Sequence, residues 1–184
     1  MTSVVDTYKM IQYDSAGNAL GRDVGGRMSV ATAFFTRPAN TTAYDALDAV
    51  ANSASAPTIL TFSDVARAAG GSGYVVAMRL MTDQAANVAQ FRLHLFHTAP
   101  TAINDNAAYT LLWANRANRV GYIDANCQTE GSGSTAANGL NAVVRLPFVC
   151  AAGSSALYGL LETRTVFTPA SAQNFYIELF SELN

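Results

Sequence analysis

Along most of the chain, apolar and polar positions alternate in short runs, the periodicity of strands that bury one face. The clearest runs lie at 28–36, 74–81, 88–97 and 173–183. Within 88–97, Phe91, Leu93, Leu95 and His97 share one face, while Arg92, His94 and Phe96 share the other. Phe175, Ile177 and Leu179 form the inward face of the last run. Further strands are predicted at 58–63, 119–125, 141–150 and 157–167, with Pro38 closing the first strand and Pro57 opening the second. About eight short strands at regular intervals, without a helix of convincing length between them, predict an all-β fold: an antiparallel, jelly-roll-like sandwich.

Two segments depart from this rhythm. In 42–53, Tyr44, Leu47 and Val50 recur at helical spacing behind Thr42, which could cap a helix. In 103–118, Asn104-Asp105 could start a helix, and 113–118 could form a single turn. The stretch 128–139, rich in Gly, Ser, Thr and Asn, is expected to be an exposed loop at one end. Residues 1–27 read apart from the sandwich domain at 28–184. A short apolar patch (Val4, Val5, Tyr8, Met10, Ile11, Tyr13) is followed by turn residues and by the paired Gly25-Gly26. This stretch fits either a small hairpin laid on the body or an arm whose apolar residues seat on a neighbour, and the arm is the preferred reading.

Composition adds a second clue. Charged residues make up 13% of the 184-residue chain while AVILMFWYC supply 50%, against about 25% charged in ordinary soluble domains. Either the exterior is built from Ser, Thr and Asn, or partners cover much of it; an oligomer is expected. A net charge of −2, with Lys9 as the one lysine, leaves no basic field for nucleic acid. No apolar run approaches a membrane span, so no membrane partner is expected. Cys127 and Cys150 are expected to be free thiols, although a pairing stays open.

A search for chemistry returns little. His94 and His97, three apart on a strand, point to opposite faces and suit one metal ion poorly. Gly70-Gly-Ser-Gly73 lacks the Gly-Lys-Ser/Thr ending of a phosphate loop. Asp105, Asp124, Glu130, Glu162 and Glu178 show no paired arrangement and read as solvated acids, while Asp48 and Asp64 read as turn residues. No catalytic residue, cofactor or metal is expected. Interface residues are, with Tyr8, Ile11, Tyr13, Arg22 and Arg27 on the N-terminal stretch. On the body, Trp113, Arg116 and Arg119 stand beside Asn115 and Asn118 as an inter-subunit contact.

The stretches 91–96 (Phe-Arg-Leu-His-Leu-Phe), 98–109 (Thr-Ala-Pro-Thr-Ala-Ile-Asn-Asp-Asn-Ala-Ala-Tyr) and 121–124 (Gly-Tyr-Ile-Asp) resemble small virion structural proteins of tailed bacteriophages; 44–50 and 61–67 are similar to the upstream part of that pattern. The resemblance implies a jelly-roll on the capsid exterior, a decoration or cement protein, commonly trimeric, that clamps the major capsid protein. It carries over no catalytic residue, and it favours a strand over a helix in 42–53, which is the reading adopted for that segment. The expected partners are the major capsid protein and further copies of this chain. The alternative is a receptor- or glycan-binding module of a head or tail fibre.

Overall fold

The structure, a computed structural model, describes residues 12–13, 19–20, 27–132, 135–141 and 145–183. Its strands are β1 (Gln12–Tyr13), β2 (Ala19–Leu20), β3 (Arg27–Thr36), β4 (Ala49–Val50), β5 (Leu60–Phe62), β6 (Ser72–Thr82), β7 (Gln90–Phe96), β8 (Arg119–Asn126), β9 (Gln128–Thr129), β10 (Ala137–Asn141), β11 (Leu146–Val149), β12 (Leu157–Thr163) and β13 (Asn174–Leu183). β1 and β2 pair with each other, Gln12 opposite Leu20. The rest of the N-terminal stretch, with Tyr8, Ile11 and Arg22, lies outside the described residues.

The remaining strands form two antiparallel sheets. The first runs β3-β13-β6-β10-β9, with β11 also on β6; the second runs β4-β12-β7-β8, with β5 also on β12. β10 and β11 follow one edge of β6, opposite Met78–Thr82 and Ser72–Val75, and so count as one interrupted strand. β4 and β5 do the same along β12. Counted this way, the sheets are ordered first-eighth-third-sixth and second-seventh-fourth-fifth, the jelly-roll order in which each sheet draws strands from both halves of the chain. The fold is an all-β, antiparallel sandwich of the jelly-roll kind.

Alternation builds the layer between the sheets. Ala31, Ala33 and Phe35 of β3, Phe175, Ile177 and Leu179 of β13, and Phe91, Leu93 and Leu95 of β7 all point into it and are buried. Phe175 stacks on Phe35 with ring centroids 5.1 Å apart and meets Phe91 edge-on at 5.6 Å, the offset geometries that aromatic quadrupoles favour. Cys127 and Cys150 are both buried and free, and burial pushes the Cys127 thiol up to about 12.

Several local expectations need correction. The helical spacing at 42–53 builds no helix; in line with the strand reading adopted there, the segment holds the short strand β4 and single bridges at Tyr44 and Asp48. Tyr44 and Val50 are buried, but Leu47 is exposed and left-handed at φ 76°. Tyr44 is instead held by Phe167, its ring stacked at 4.8 Å. No helix starts at Asn104-Asp105. Of the strand expected at 141–150, β11 covers Leu146–Val149, Asn141 ends β10 and residues 142–144 lie outside the described residues; the polar loop before it folds into the β9-β10 hairpin. The strand at 157–167 ends at Thr163. Three acids read as solvated, Asp105, Glu162 and Glu178, are buried.

Asp105 explains how residues 98–112 are held. This segment has no strand of its own and forms a strap along 47–53: Asp105 N donates to Ser53 O, Asn106 N to Ala49 O, Tyr109 N to Leu47 O, and Ala49 N back to Ala107 O, all at 2.8–2.9 Å. At its centre the Asp105 carboxylate accepts from Arg37 (3.2 Å), from the Tyr44 hydroxyl and from Ala51 N (2.9 Å). The Arg37 side chain is fully buried. Its remaining donors reach Tyr44 Oη, Asn40 O, Asn40 Oδ1 and Ala170 O. Burial first, and then Asp105, raise the pKa of Tyr44 and keep its hydroxyl a donor. Every strong hydrogen-bonding group at this junction is answered, as buried charge requires. Asp105→Ala leaves a guanidinium buried without its counter-charge, and is expected to cost about 3–5 kcal/mol in urea denaturation; a loss below about 1 kcal/mol would show that the pair does not hold the strap.

Candidate functional site

The strap covers the outer face of the second sheet, so β7 is buried on both sides: Phe96 and His94, on the face opposite Leu93 and Leu95, lie under it. From there the chain emerges through Leu111 and Leu112 into a 3₁₀ turn, Trp113–Asn118. Leu112 is extended, so the turn begins abruptly, and Asn115 N closes it on Leu112 O at 2.9 Å. His97 ties down the far end, its backbone N donating to Asn118 O (2.9 Å) and its ring lying 3.1 Å from Ala117 O. The C-terminal end of the turn is thus anchored to the body through His97.

What this turn presents is an aromatic surface. Trp113 is 78% exposed. The Arg116 guanidinium lies 4.6 Å above its ring and donates to Trp113 O at 2.9 Å, so the pair is set before any partner arrives. Leu111 and Leu112 are also exposed. Beside them opens a cleft with about 440 Å³ of empty volume, walled by Phe96, Pro100, Ile103, Tyr109 and Leu160. An exposed Trp stacked with Arg, next to leucines and a shallow apolar cleft, has the composition of an interface hot spot.

Below this surface lies a buried polar cluster. His94 Nε2 is 2.6 Å from Glu162 Oε2, and Arg119 Nη2 is 3.3 Å from His94 Nδ1. Because arginine only donates, Nδ1 accepts and Nε2–H donates to Glu162, which fixes a neutral tautomer. Glu162 also accepts from Arg164 at 2.8 Å. The Tyr109 ring, brought in by the strap, stacks on His94 at 4.1 Å, and burial pushes its hydroxyl up to about 12. Burial holds His94 below its usual value of 6.5, opposed by Glu162 and assisted by Arg119 and Arg92. At the rim, Arg92 clamps Asp124 at 2.6 and 2.9 Å and lies 3.8 Å from the centre of the Tyr122 ring. That hydrogen bond lowers the Asp124 pKa.

The sequence-based interface residues therefore separate. Trp113 and Arg116 come together at the surface. Arg119 does not join them: as the first residue of β8 it is half-buried and points at His94 and Tyr122. Tyr13 lies in β1 and Arg27 opens β3, each described by its backbone. Sequence reasoning missed Arg37 and the pairing of His94 with Glu162; these two stand diagonally across β7 and β12, where Leu160 pairs with His94 and Glu162 with Arg92. Among the described residues, no three of His, Cys, Asp and Glu gather as metal ligands would.

No protein-family model and no curated protein matches the chain. Among solved structures it is similar to one described as the Cyanophage Pam1 capsid asymmetric unit, at 14% identity and a TM-score of 0.35, over 95% of this chain and 100% of that one. A likeness this faint carries no argument about function.

The His94 cluster has a measurable consequence. With its folded pKa lowered, His94 resists a proton that the unfolded chain accepts, so its contribution to stability is fully present above about pH 6.5 and is lost as pH falls towards the lowered value. Stability is expected to fall below pH 6.5 by up to about 1.4 kcal/mol per pH unit. His94→Gln, which can still donate to Glu162 and accept from Arg119, should flatten that slope; an unchanged slope would assign it to another group.

Proposed function

We propose that this chain is a non-enzymatic virion structural protein: a capsid decoration protein that binds the outer surface of a tailed phage head and stabilises it, acting as a homo-oligomer, with a trimer as the form the sequence resemblance implies. The observation that carries the reading is Trp113, exposed and stacked under Arg116 on a turn tied to the body at His97. A rigid aromatic surface loses little entropy on docking, and repetition across copies turns modest affinity per site into firm attachment. The low charge of the chain suits a protein whose surfaces meet other proteins. The net charge of −2 gives phosphate backbones nothing to bind, so the major capsid protein, rather than packaged nucleic acid, is the proposed partner.

The absence of catalysis in this reading is supported by how the acids are used. Asp105 is bound by Arg37 and Tyr44, Glu162 by His94 and Arg164, and Asp124 by Arg92. Each is engaged in holding neighbouring segments together. Trp113 beside an open cleft also suits the alternative reading, a glycan- or receptor-binding module, because sugars stack on exposed aromatic rings.

Two measurements test the proposal. Antibody labelling of intact particles in electron microscopy is expected to decorate the head at regular positions; label confined to the tail would defeat it. Trp113→Ala is expected to weaken binding of the purified protein to heads by roughly thirty-fold, about 2 kcal/mol, without lowering folding stability. Unchanged head binding, together with Trp113-dependent binding to a glycan array, would establish the alternative.

A further inference from the structure

Among the described residues, no strap covers the outer face of the first sheet, and its terminal strand β3 has one edge without a pairing strand. β3 pairs along its whole length with β13, from Thr36 opposite Asn174 to Arg27 opposite Leu183, and among the described residues no strand pairs with its other edge. Arg37 N donates to Gln173 O at 3.0 Å. The alternation of an antiparallel ladder then turns positions 29, 31, 33 and 35 towards β13, and directs the N–H and C=O of Met28, Val30, Thr32, Phe34 and Thr36 to the free edge. The same residues carry the outward side chains: Met28, Val30 and Phe34 are 55%, 51% and 62% exposed. Beside them a groove with about 810 Å³ of empty volume separates β3 from Thr58, Ile59 and Thr61.

Such an edge normally carries a guard: a lysine, a proline, a bulge or a short length. Here 28–36 contains no charge and no proline, and the β3-β13 register runs without a shift. The sequence is also complementary to itself. Antiparallel pairing about a two-fold axis at Thr32 sets Thr32 against Thr32, Val30 against Phe34 twice and Met28 against Thr36 twice. β-Branched–aromatic and Thr–Thr pairs are among the favourable cross-strand neighbours. The register ends where Arg27 of one copy meets Arg37 of the other, whose guanidinium is turned inward onto Asp105.

We propose that the free edge of β3 binds the β3 edge of a second copy of this chain, joining the two first sheets into one continuous sheet across a two-fold axis. The contact is isologous: the same patch serves both partners and closes this edge at two chains, so it is a separate contact from any that would build the trimer of the proposed function. It stands independently of the virion reading, since it concerns this chain alone.

The test uses the purified full chain. With Thr32→Cys, a Cα separation near 5.5 Å across a hydrogen-bonded pair lies within disulfide reach, and the buried native thiols do not compete. Mild oxidation is expected to yield a covalent dimer, whereas Thr98→Cys, exposed on the strap, should yield none. Separately, Val30→Lys puts charge on the exposed face without touching the core, and is expected to halve the assembly mass measured by light scattering while leaving the denaturation midpoint in place. A wild-type chain that is monomeric at every concentration, or a Thr32→Cys variant that does not cross-link, overturns the proposal. Dimerisation that appears only after residues 2–24 are removed overturns it too, because the chain's own N-terminal stretch then holds the edge.

Discussion

The ion pair between Arg37 and Asp105 joins the end of β3 to the strap at 98–112, and the rest of the outer architecture depends on it. Neither charge has water to fall back on, so each must find its full set of partners inside the protein. Arg37 finds them in Asp105, Tyr44, Asn40 and Ala170; Asp105 finds them in Arg37, Tyr44 and Ala51. Three stretches distant in sequence, 37–51, Asp105 and Ala170, are drawn to one point. With Asp105 seated, Tyr109 is brought over His94, the outer face of β7 is closed, and the chain leaves the sheet where Trp113 is displayed.

The two outer faces of the sandwich consequently differ. On the second sheet the strap hides a polar cluster and offers a small rigid surface of Leu111, Leu112, Trp113 and Arg116. On the first sheet the side chains of β3 stand free, next to an Arg79–Glu178 ion pair in which Glu178 also accepts from Tyr176 Oη at 3.2 Å. Several of the chain's few charges serve inside it as locks that position segments, and the proposed assembly role is the reading that accounts for so uncharged an exterior.

Much of the fold was legible because period-two alternation reports a strand with one wet face. Phe175, Ile177 and Leu179 satisfied it, and so did Ala31, Ala33 and Phe35. It failed where a third layer covers a sheet: once the strap lies over β7, His94 and Phe96 are as buried as Leu93 and Leu95, and local pattern holds no sign of that cover. At 42–53 the helical spacing of Tyr44, Leu47 and Val50 was coincidental, because Tyr44 is claimed by Phe167, Arg37 and Asp105 while Leu47 faces solvent. Trp113 and Arg116 were legible as a pair through their spacing on a single turn. Arg119 was not, since it opens a strand and its side chain follows the sheet. Arg37 gave no signal at all: beside Pro38 it reads as the end of a strand, and its partner lies 68 residues away.

An irregular strap, locked by a buried ion pair, is as firmly part of this sandwich as its strands. Amide hydrogen exchange on the purified protein measures this directly. The amides of Asp105, Asn106 and Tyr109, bonded to Ser53, Ala49 and Leu47, are expected to exchange as slowly as those at the centre of β12. Exchange within seconds at these three positions, with the strands still protected, would contradict the account.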